Sequence, residues 1–275
     1  MMVSVIVPFF GDPGNLMSGL AALQSQVAWS AGDEVIVVDN HLEPILQEAD
    51  LRSRWPNLNI KVFHEPKPGS YAARNFGVKM AAGSILAFTD SDCRPDPCWV
   101  KNGTAEILAG GQVLAGAVDV RKSNGAEANY FEKYQMLADL RQRHYVQDLK
   151  FAATANLWVT REAFEVVGCF DDSFFSSGDF DWGVRCNQSG FVIQYRDNIR
   201  VEHEPRATLA GLIKKSRRLG GGHYLLDKKW GRTVRGGVST NRLRLGPYLL
   251  LHGFLMMVRR IEKWRCGLGG ESQRA

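Results

Sequence analysis

The chain has 275 residues, 45% of them hydrophobic and 23% charged, which fits one large α/β domain with an appendage and excludes a disordered polypeptide. Its net charge of +5 hides an asymmetry, since residues 206–275 hold 16 Lys and Arg against 3 Asp and Glu, and residues 1–205 hold 18 against 26. An acidic body with a basic tail predicts an anionic partner, with phospholipid, a phosphorylated acceptor and nucleic acid as candidates.

The opening MMVSVIVPFF has no basic region ahead of its apolar run, so it reads as a strand rather than a signal peptide. VSVIVPF (3–9) is that strand, and NLMSGLAALQSQ (15–26) follows with helical spacing at Leu16, Leu20 and Leu23. DEVIVVD (33–39) is a second strand, a weak helical segment spans 43–53, and NIKVFHE (59–65) is a third strand. SYAARNFGVKMAAG (70–83) reads as a helix ended by Gly83, and SILAFTD as the fourth strand. Strands alternating with helices at this interval predict a parallel, doubly wound sheet over this half. In such sheets ligands bind outside the carboxyl ends of the strands. Pro8, Asp39, the PKPGS loop and the pair Asp90 and Asp92 stand at those ends.

After residue 110 the pattern changes. QVLAGAVDV (112–120) reads as a strand, and a long amphipathic helix is expected near 126–147. ATANLWVTREAFEVVGCFD (153–171) pairs a strand with a short helix, and GDFDWGVRCNQSG (178–190) is an acid-led helix. FVIQYR (191–196) and NIRVEHE (198–204) are strands, and TLAGLIKKSRRLGGG (208–222) is a basic helix stopped by its glycines. The expected division is 1–222 as one domain, split into halves 1–110 and 111–222, with 223–275 as a basic and apolar helical tail. The five scattered cysteines have no metal-binding spacing and suit reduced thiols of a cytosolic protein.

Asp90 and Asp92 flank a single residue at a strand end, where two hard oxygen ligands can share Mg²⁺ or Mn²⁺ with substrate phosphates. Asp96, between two prolines, reads as a helix N-terminal acid. Arg74 opens the possibility of a bidentate diphosphate contact, on a helix whose first amides favour anions. Asp179, at the start of another helix, has the chemistry of a base for a hydroxyl proton. No G-x-G-x-x-G follows the first strand, which disfavours a nicotinamide dehydrogenase.

Taken together, VSVIVPFF, EVIVVDN, GSYAARNFG, SILAFTDSD, ANLWVTREAFEVVGCFD and GDFDWGVRCNQSG resemble the family 2 glycosyltransferases of GT-A fold, over roughly residues 2–222. The resemblance implies a Rossmann-like, doubly wound mixed sheet with a helical C-terminal extension. It implies an inverting, metal-dependent transferase of polysaccharide biosynthesis, moving sugar from a nucleoside diphosphate sugar, expected to be a UDP-sugar, to a hydroxyl of a glycan or lipid-linked acceptor. By the same resemblance Asp92 is the direct metal ligand, Asp90 its support, and His203 in VEHEPR a third contact. Asp39 meets the nucleoside, Pro8 lines the base pocket and Arg74 lies beside the nucleotide. Asp179 is the catalytic base, with Asp181 and Trp182 in the acceptor site. Arg206 and Arg218, in a stretch that also holds Lys214, Lys215 and Arg217, stand where the leaving phosphates are neutralised. The sequence departs from the family at VDNHL, where Asn40 replaces a second acid, and at Gly178, where many members carry Glu.

The tail holds an apolar stretch from Leu245 to Val258, 14 residues flanked by arginines. A bilayer span takes roughly 20, so the expectation is a helix lying in an anionic membrane interface, on a cytoplasmic protein peripheral to the membrane. Packing against the domain or in a homodimer is the second reading, and nucleic acid is not expected as a partner. A nucleotidyltransferase and a non-catalytic sugar-nucleotide or glycan-binding adaptor are the rival functions. The first would show a basic, Gly-rich loop after the first strand, whereas PFFGDPGN has neither Lys nor Arg.

Overall fold

The computed structural model describes residues 1–122, 126–138, 140–231 and 246–268. Four strands, β1 (Val3–Phe9), β2 (Glu34–Asp39), β3 (Ile60–His64) and β4 (Ile85–Thr89), alternate with the helices α1 (Pro13–Gln24), α2 (Glu48–Arg54) and α3 (Ser70–Met80). They pair in parallel, as the spacing predicts. Then come β5 (Cys93–Pro95), α4 (Trp99–Leu108), β6 (Val113–Val120), α5 (Tyr130–Ala138), α6 (Gln142–Gln147), β7 (Asn156–Thr160), α7 (Arg161–Val167), α8 (Gly178–Gln188), β8 (Ile193–His203), α9 (Leu209–Trp230) and α10 (Leu249–Gly267). The sheet order is β3-β2-β1-β4-β7-β6-β8-β5, and β7 runs antiparallel to both β4 and β6. The sheet is therefore mixed.

Alternation along the strands divides the core. Val5, Val7, Val35 and Val37 face Leu16, Leu20, Leu23 and Trp99 on one side, while Ile6, Leu86 and Phe88 meet Phe164, Phe170 and Trp182 on the other. Burial on both faces explains why these strands are continuously apolar rather than alternating.

Three expectations are corrected. The long helix near 126–147 is two helices, with Leu140 at φ 42° between them. Gln142 is buried, donates to the carbonyls of Ala153 and Asn156 and accepts from the Ala153 amide. A polar side chain needed by the loop before β7 thus begins a new helix direction. The two strands at 191–196 and 198–204 are one strand with a register shift opposite Gly116/Ala117. Finally, Gly220, Gly221 and Gly222 do not end their helix, which continues to Trp230 and so passes through the expected boundary at 222. A Cβ at Gly220 would stand 2.5 Å from the Arg259 carbonyl oxygen, and one at Gly222 would stand 2.4 Å from that of Ser176. The glycines let α10 and the loop before α8 approach the α9 backbone.

Candidate active site

The carboxyl ends of β1, β2 and β4 open into a crevice of about 1650 Å³, closed on the far side by α5, the start of α8, α9 and α10. Pro8, Asn40, Arg74, Asp90, Asp92, Asp179, His203, Arg206 and Arg218 all line it. Most of the residues singled out from sequence are thus brought to one place, although they lie up to 210 positions apart.

Asp90 and Asp92 sit in the turn between β4 and β5, closed by the Cys93 amide donating to the Asp90 carbonyl at 3.0 Å. The two carboxylates and the Cys93 sulfur offer ligand atoms within 4.8 Å of one another. Burial, reinforced by the charges of Asp90 and Asp92, pushes the Cys93 thiol well above its ordinary pKa. It stays protonated, which leaves a carboxylate set suited to a hard divalent cation. Antiparallel pairing of β5 with β8 places His203 opposite Cys93. His203 Nε2 lies 3.4 Å from Asp92 Oδ2, and its buried Nδ1 has no partner. The donor set fits a divalent ion.

Arg74 is 3% exposed, and its guanidinium donates to Asp90 Oδ1 while Nε is left without a bond. This half-buried ion pair fixes one carboxylate of the pair. Across the crevice, Asp179 occupies the first turn of α8, just after Ser177, which adopts the left-handed conformation at φ 65°. The Phe180 amide donates to Asp179 Oδ1 at 2.9 Å. Burial raises the Asp179 pKa, against the lowering effects of the Phe180 amide, Arg74 and the Tyr71 hydroxyl, and the Asp90 charge adds to the rise. A half-buried carboxylate with a raised pKa thus shares the crevice with Asp90 and Asp92.

Tyr71 was not singled out from the sequence, yet it holds this region together. The Asp179 amide donates to the Tyr71 hydroxyl at 3.1 Å, and the Arg74 guanidinium lies over the Tyr71 ring with its carbon 5.5 Å from the centroid. Its ring also accounts for Gly178. A Cβ there would stand 2.7 Å from Tyr71 Cε2, so the position many family members give to Glu is closed to any side chain here. Two signals were present in the sequence: Tyr71 precedes Arg74 by three residues on one helix, and position 178 lacks a side chain.

Three expected site residues lie elsewhere. Asp181 is 0% exposed and its carboxylate takes hydrogen bonds from Trp230 Nε1 at 2.7 Å and Arg185 Nε at 3.1 Å, with Lys229 Nζ at 2.8 Å. Trp182 is buried against Phe164 and Phe170 and donates to the Gly168 carbonyl. Neither lines the crevice: Asp181 is turned about 200° from Asp179 around the helix, and Trp182 is drawn into the core by the Phe164 and Phe170 rings and the Gly168 carbonyl. Asp39 is 1% exposed, and its oxygens accept from the amides of His41, Ile45 and Leu46 and bond the His41 ring at 2.7 Å. Burial works to raise its pKa, but these bonds outweigh it and hold the carboxyl below the ordinary range. Asp39 builds the loop behind the crevice; its neighbour Asn40, although buried, lines the crevice wall.

Asn40 also explains the departure from the family's second acid. Its Nδ2 donates to the Glu65 and Lys67 carbonyls, and its Oδ1 accepts from the Gly69 amide. An Asp could not donate to those two carbonyls. The amide ties the end of β2 to the loop that starts α3, and so sets the position of Tyr71 and Arg74.

This geometry agrees with the comparisons. The sequence model described as Glycosyl transferase family 2 matches residues 4–168. The glycosyltransferase AglE of Haloferax volcanii is 32% identical over 259 residues, covering 92% of this chain and 81% of that protein. This chain belongs to glycosyl transferase family 2. A second relative of this family 2 glycosyltransferase is the pre-mycofactocin glycosyltransferase of Mycobacterium tuberculosis, 26% identical over 226 residues. That match covers 80% of this chain and 46% of the relative, about half its length. Among solved structures, S. aureus TarS 1–349 superposes with a TM-score of 0.61 at 18% identity, covering 98% of this chain and 79% of TarS. The mannosyltransferase PcManGT of Pyrobaculum calidifontis gives 0.60 at 17% identity, with 98% and 76% coverage. The GT-A fold follows, and the nucleotidyltransferase and adaptor readings are set aside. Among the described residues of the glycosyltransferase, no helix is long and apolar enough to cross a membrane.

Proposed function

We propose that this enzyme is an inverting, metal-dependent glycosyltransferase, taking sugar from a nucleoside diphosphate sugar, with a UDP-sugar as the expected donor, to a hydroxyl of a glycan or lipid-linked acceptor. The observation that carries the reading is the meeting, in one crevice, of the acids Asp90 and Asp92 with the raised-pKa carboxylate of Asp179. Two neighbours of the same fold are known in complexes described as GDP-Man with Mn²⁺ and as UDP-GlcNAc. That class of donor and ion is the one carried here to this chain.

Asp92, Asp90 and His203 would hold Mn²⁺ or Mg²⁺, which when bound neutralises the donor's diphosphate. The base end of the donor lies toward Pro8 and Asn40, where Phe10 offers an exposed ring stacked on His41 at 4.7 Å. Asp179 accepts the acceptor hydroxyl's proton as that oxygen bonds to the anomeric carbon from the face opposite the diphosphate. The glycosidic bond breaks with its electron pair going to the phosphate oxygen. Arg206, whose buried Nη1 has no partner, and Arg218 lie along the same wall and meet the charge that grows there. The basic C-terminal region is the part that approaches an anionic membrane surface.

The test is nucleoside diphosphate release from a panel of sugar nucleotides with Mn²⁺ or Mg²⁺, with and without chelator and with isolated membranes as acceptor source. Turnover of at least one donor that chelation abolishes is expected. Release that persists undiminished in chelator would remove the metal from the mechanism, and binding of donors without release from any would remove the transferase reading.

A further inference from the structure

α10 carries its apolar residues in two sets. Leu251 and Leu255 are buried with Leu212 of α9 and Tyr134 of α5, while Leu250, Phe254, Met257, Ile261 and Trp264 are exposed, as is Leu268 just beyond the helix. The exposed set is spaced by alternating steps of four and three residues, so it forms one continuous stripe along the helix. Exposure reaches 91% at Leu250 and 67% at Trp264. A monomer surface rarely leaves such a row to water.

Charge distinguishes the occupants. Arg260 borders the stripe on one side and Arg265 on the other. Glu262 is the single acid of this helix; it is buried and bonded by Arg265. A second copy of α10 laid against the stripe would bring arginines together with no free acid between them, the reverse of what the edges of a helix pair require. Residues 232–245, which join α9 to α10, add four arginines and no acid to the sequence. Apolar stripe, flanking arginines and an indole fit the interface of an anionic bilayer.

The stripe also borders the crevice. Met257 of the stripe belongs to the crevice lining, as do Leu249, Gly253 and Arg260 on the α10 surface beside it. We infer that α10 lies in the interface of an anionic lipid membrane through the Leu250–Trp264 stripe, setting the acceptor end of the crevice at the membrane surface. The acceptor is then an amphiphile presented from that surface, a statement that rests on the transferase reading above.

Flotation of the full chain with vesicles of phosphatidylcholine alone, and with a one-third share of phosphatidylglycerol, tests the inference. Binding is expected only to the anionic vesicles, and it weakens as added salt shortens the screening length. The variant carrying Leu250→Gln, Ile261→Gln and Trp264→Gln is expected to bind about 100-fold more weakly, with the wild-type circular dichroism spectrum and melting midpoint. Should the triple variant misfold, Leu250→Gln alone is expected to weaken binding by about tenfold. Wild-type binding by a folded variant, equal binding to neutral vesicles, or a dimer in sedimentation that the variant dissolves would each overturn it. Donor binding and nucleoside diphosphate release without vesicles report on the crevice alone. Their retention in the triple variant separates failure at the membrane from failure of the transferase reading.

Discussion

Asp90 and Asp92 occupy a turn after β4, whereas Asp179 and Asp181 lie in the first turn of α8, and the same two-residue spacing has opposite consequences in the two places. In the turn both carboxylates line the crevice, close enough to share one cation. On the helix, residues two apart point about 200° away from each other, so only one of the pair can face the crevice. Asp179 does, and Asp181 points into the core to meet Trp230, Arg185 and Lys229. A D-x-D pattern therefore means shared ligation only when the backbone carrying it is not helical.

The largest expected effect tests the outward-facing member of the helical pair. Asp179→Asn should lower turnover by about a thousandfold or more, with sugar-nucleotide binding retained in calorimetry; near-normal release of nucleoside diphosphate would sink the assignment. The same substitution has a signature in stability. Because burial raises the native pKa of Asp179, this group favours the native state most at pH below the unfolded carboxylate value. That contribution is lost as pH rises through the native pKa, so Asp179→Asn should melt higher than wild type at neutral pH and not at strongly acidic pH.

For the pair in the turn, Asp92→Asn should weaken Mn²⁺-dependent donor binding by about 100-fold, measured by titration with and without the ion. Donor affinity insensitive to Mn²⁺ in the wild type would contradict this. The inward-facing acid should behave differently again. Asp181→Asn leaves Lys229 and Arg185 without a full partner and should cost about 2 kcal/mol in urea unfolding, while the folded variant keeps its turnover. A tenfold loss of kcat at unchanged stability would return Asp181 to the acceptor site.

The smallest effect concerns Tyr71. Its hydroxyl lowers the Asp179 pKa against the stronger effect of burial. Tyr71→Phe should therefore move the acidic limb of the kcat/KM profile to higher pH and reduce the rate severalfold. An unmoved limb with an equal loss at every pH would make Tyr71 a packing residue only.

Much of this was visible in the sequence because it depends on local signals. Continuous apolar strands, their alternation with helices and the acids at their ends predicted the first four strands and the crevice beyond them. Asp179 was legible as the acid of a helix start. The three glycines of α9 misled, since glycine marks both a helix end and a close backbone approach. Only the positions of Arg259 and Ser176 distinguish these, and both are remote in sequence. Gly178 and Asn40 looked like departures from a family pattern; they prove to be matched to Tyr71 and to the carbonyls of Glu65 and Lys67.

By itself the sequence determined which residue types stand at strand ends and helix starts, because hydrophobic period and turn chemistry act over a few residues. It determined the charge split between body and tail in the same way. Tertiary structure alone decided which of those groups face the crevice. His203 reaches Asp92 through the pairing of β5 with β8, and Tyr71 reaches Asp179 across 108 residues. Asp181 turns inward because Trp230, 49 residues away, and Lys229 meet its carboxylate, whereas the loop that directly follows Asp39 turns that carboxylate in. Orientation and pKa depend on what packs against a side chain, and that is settled only when distant segments meet.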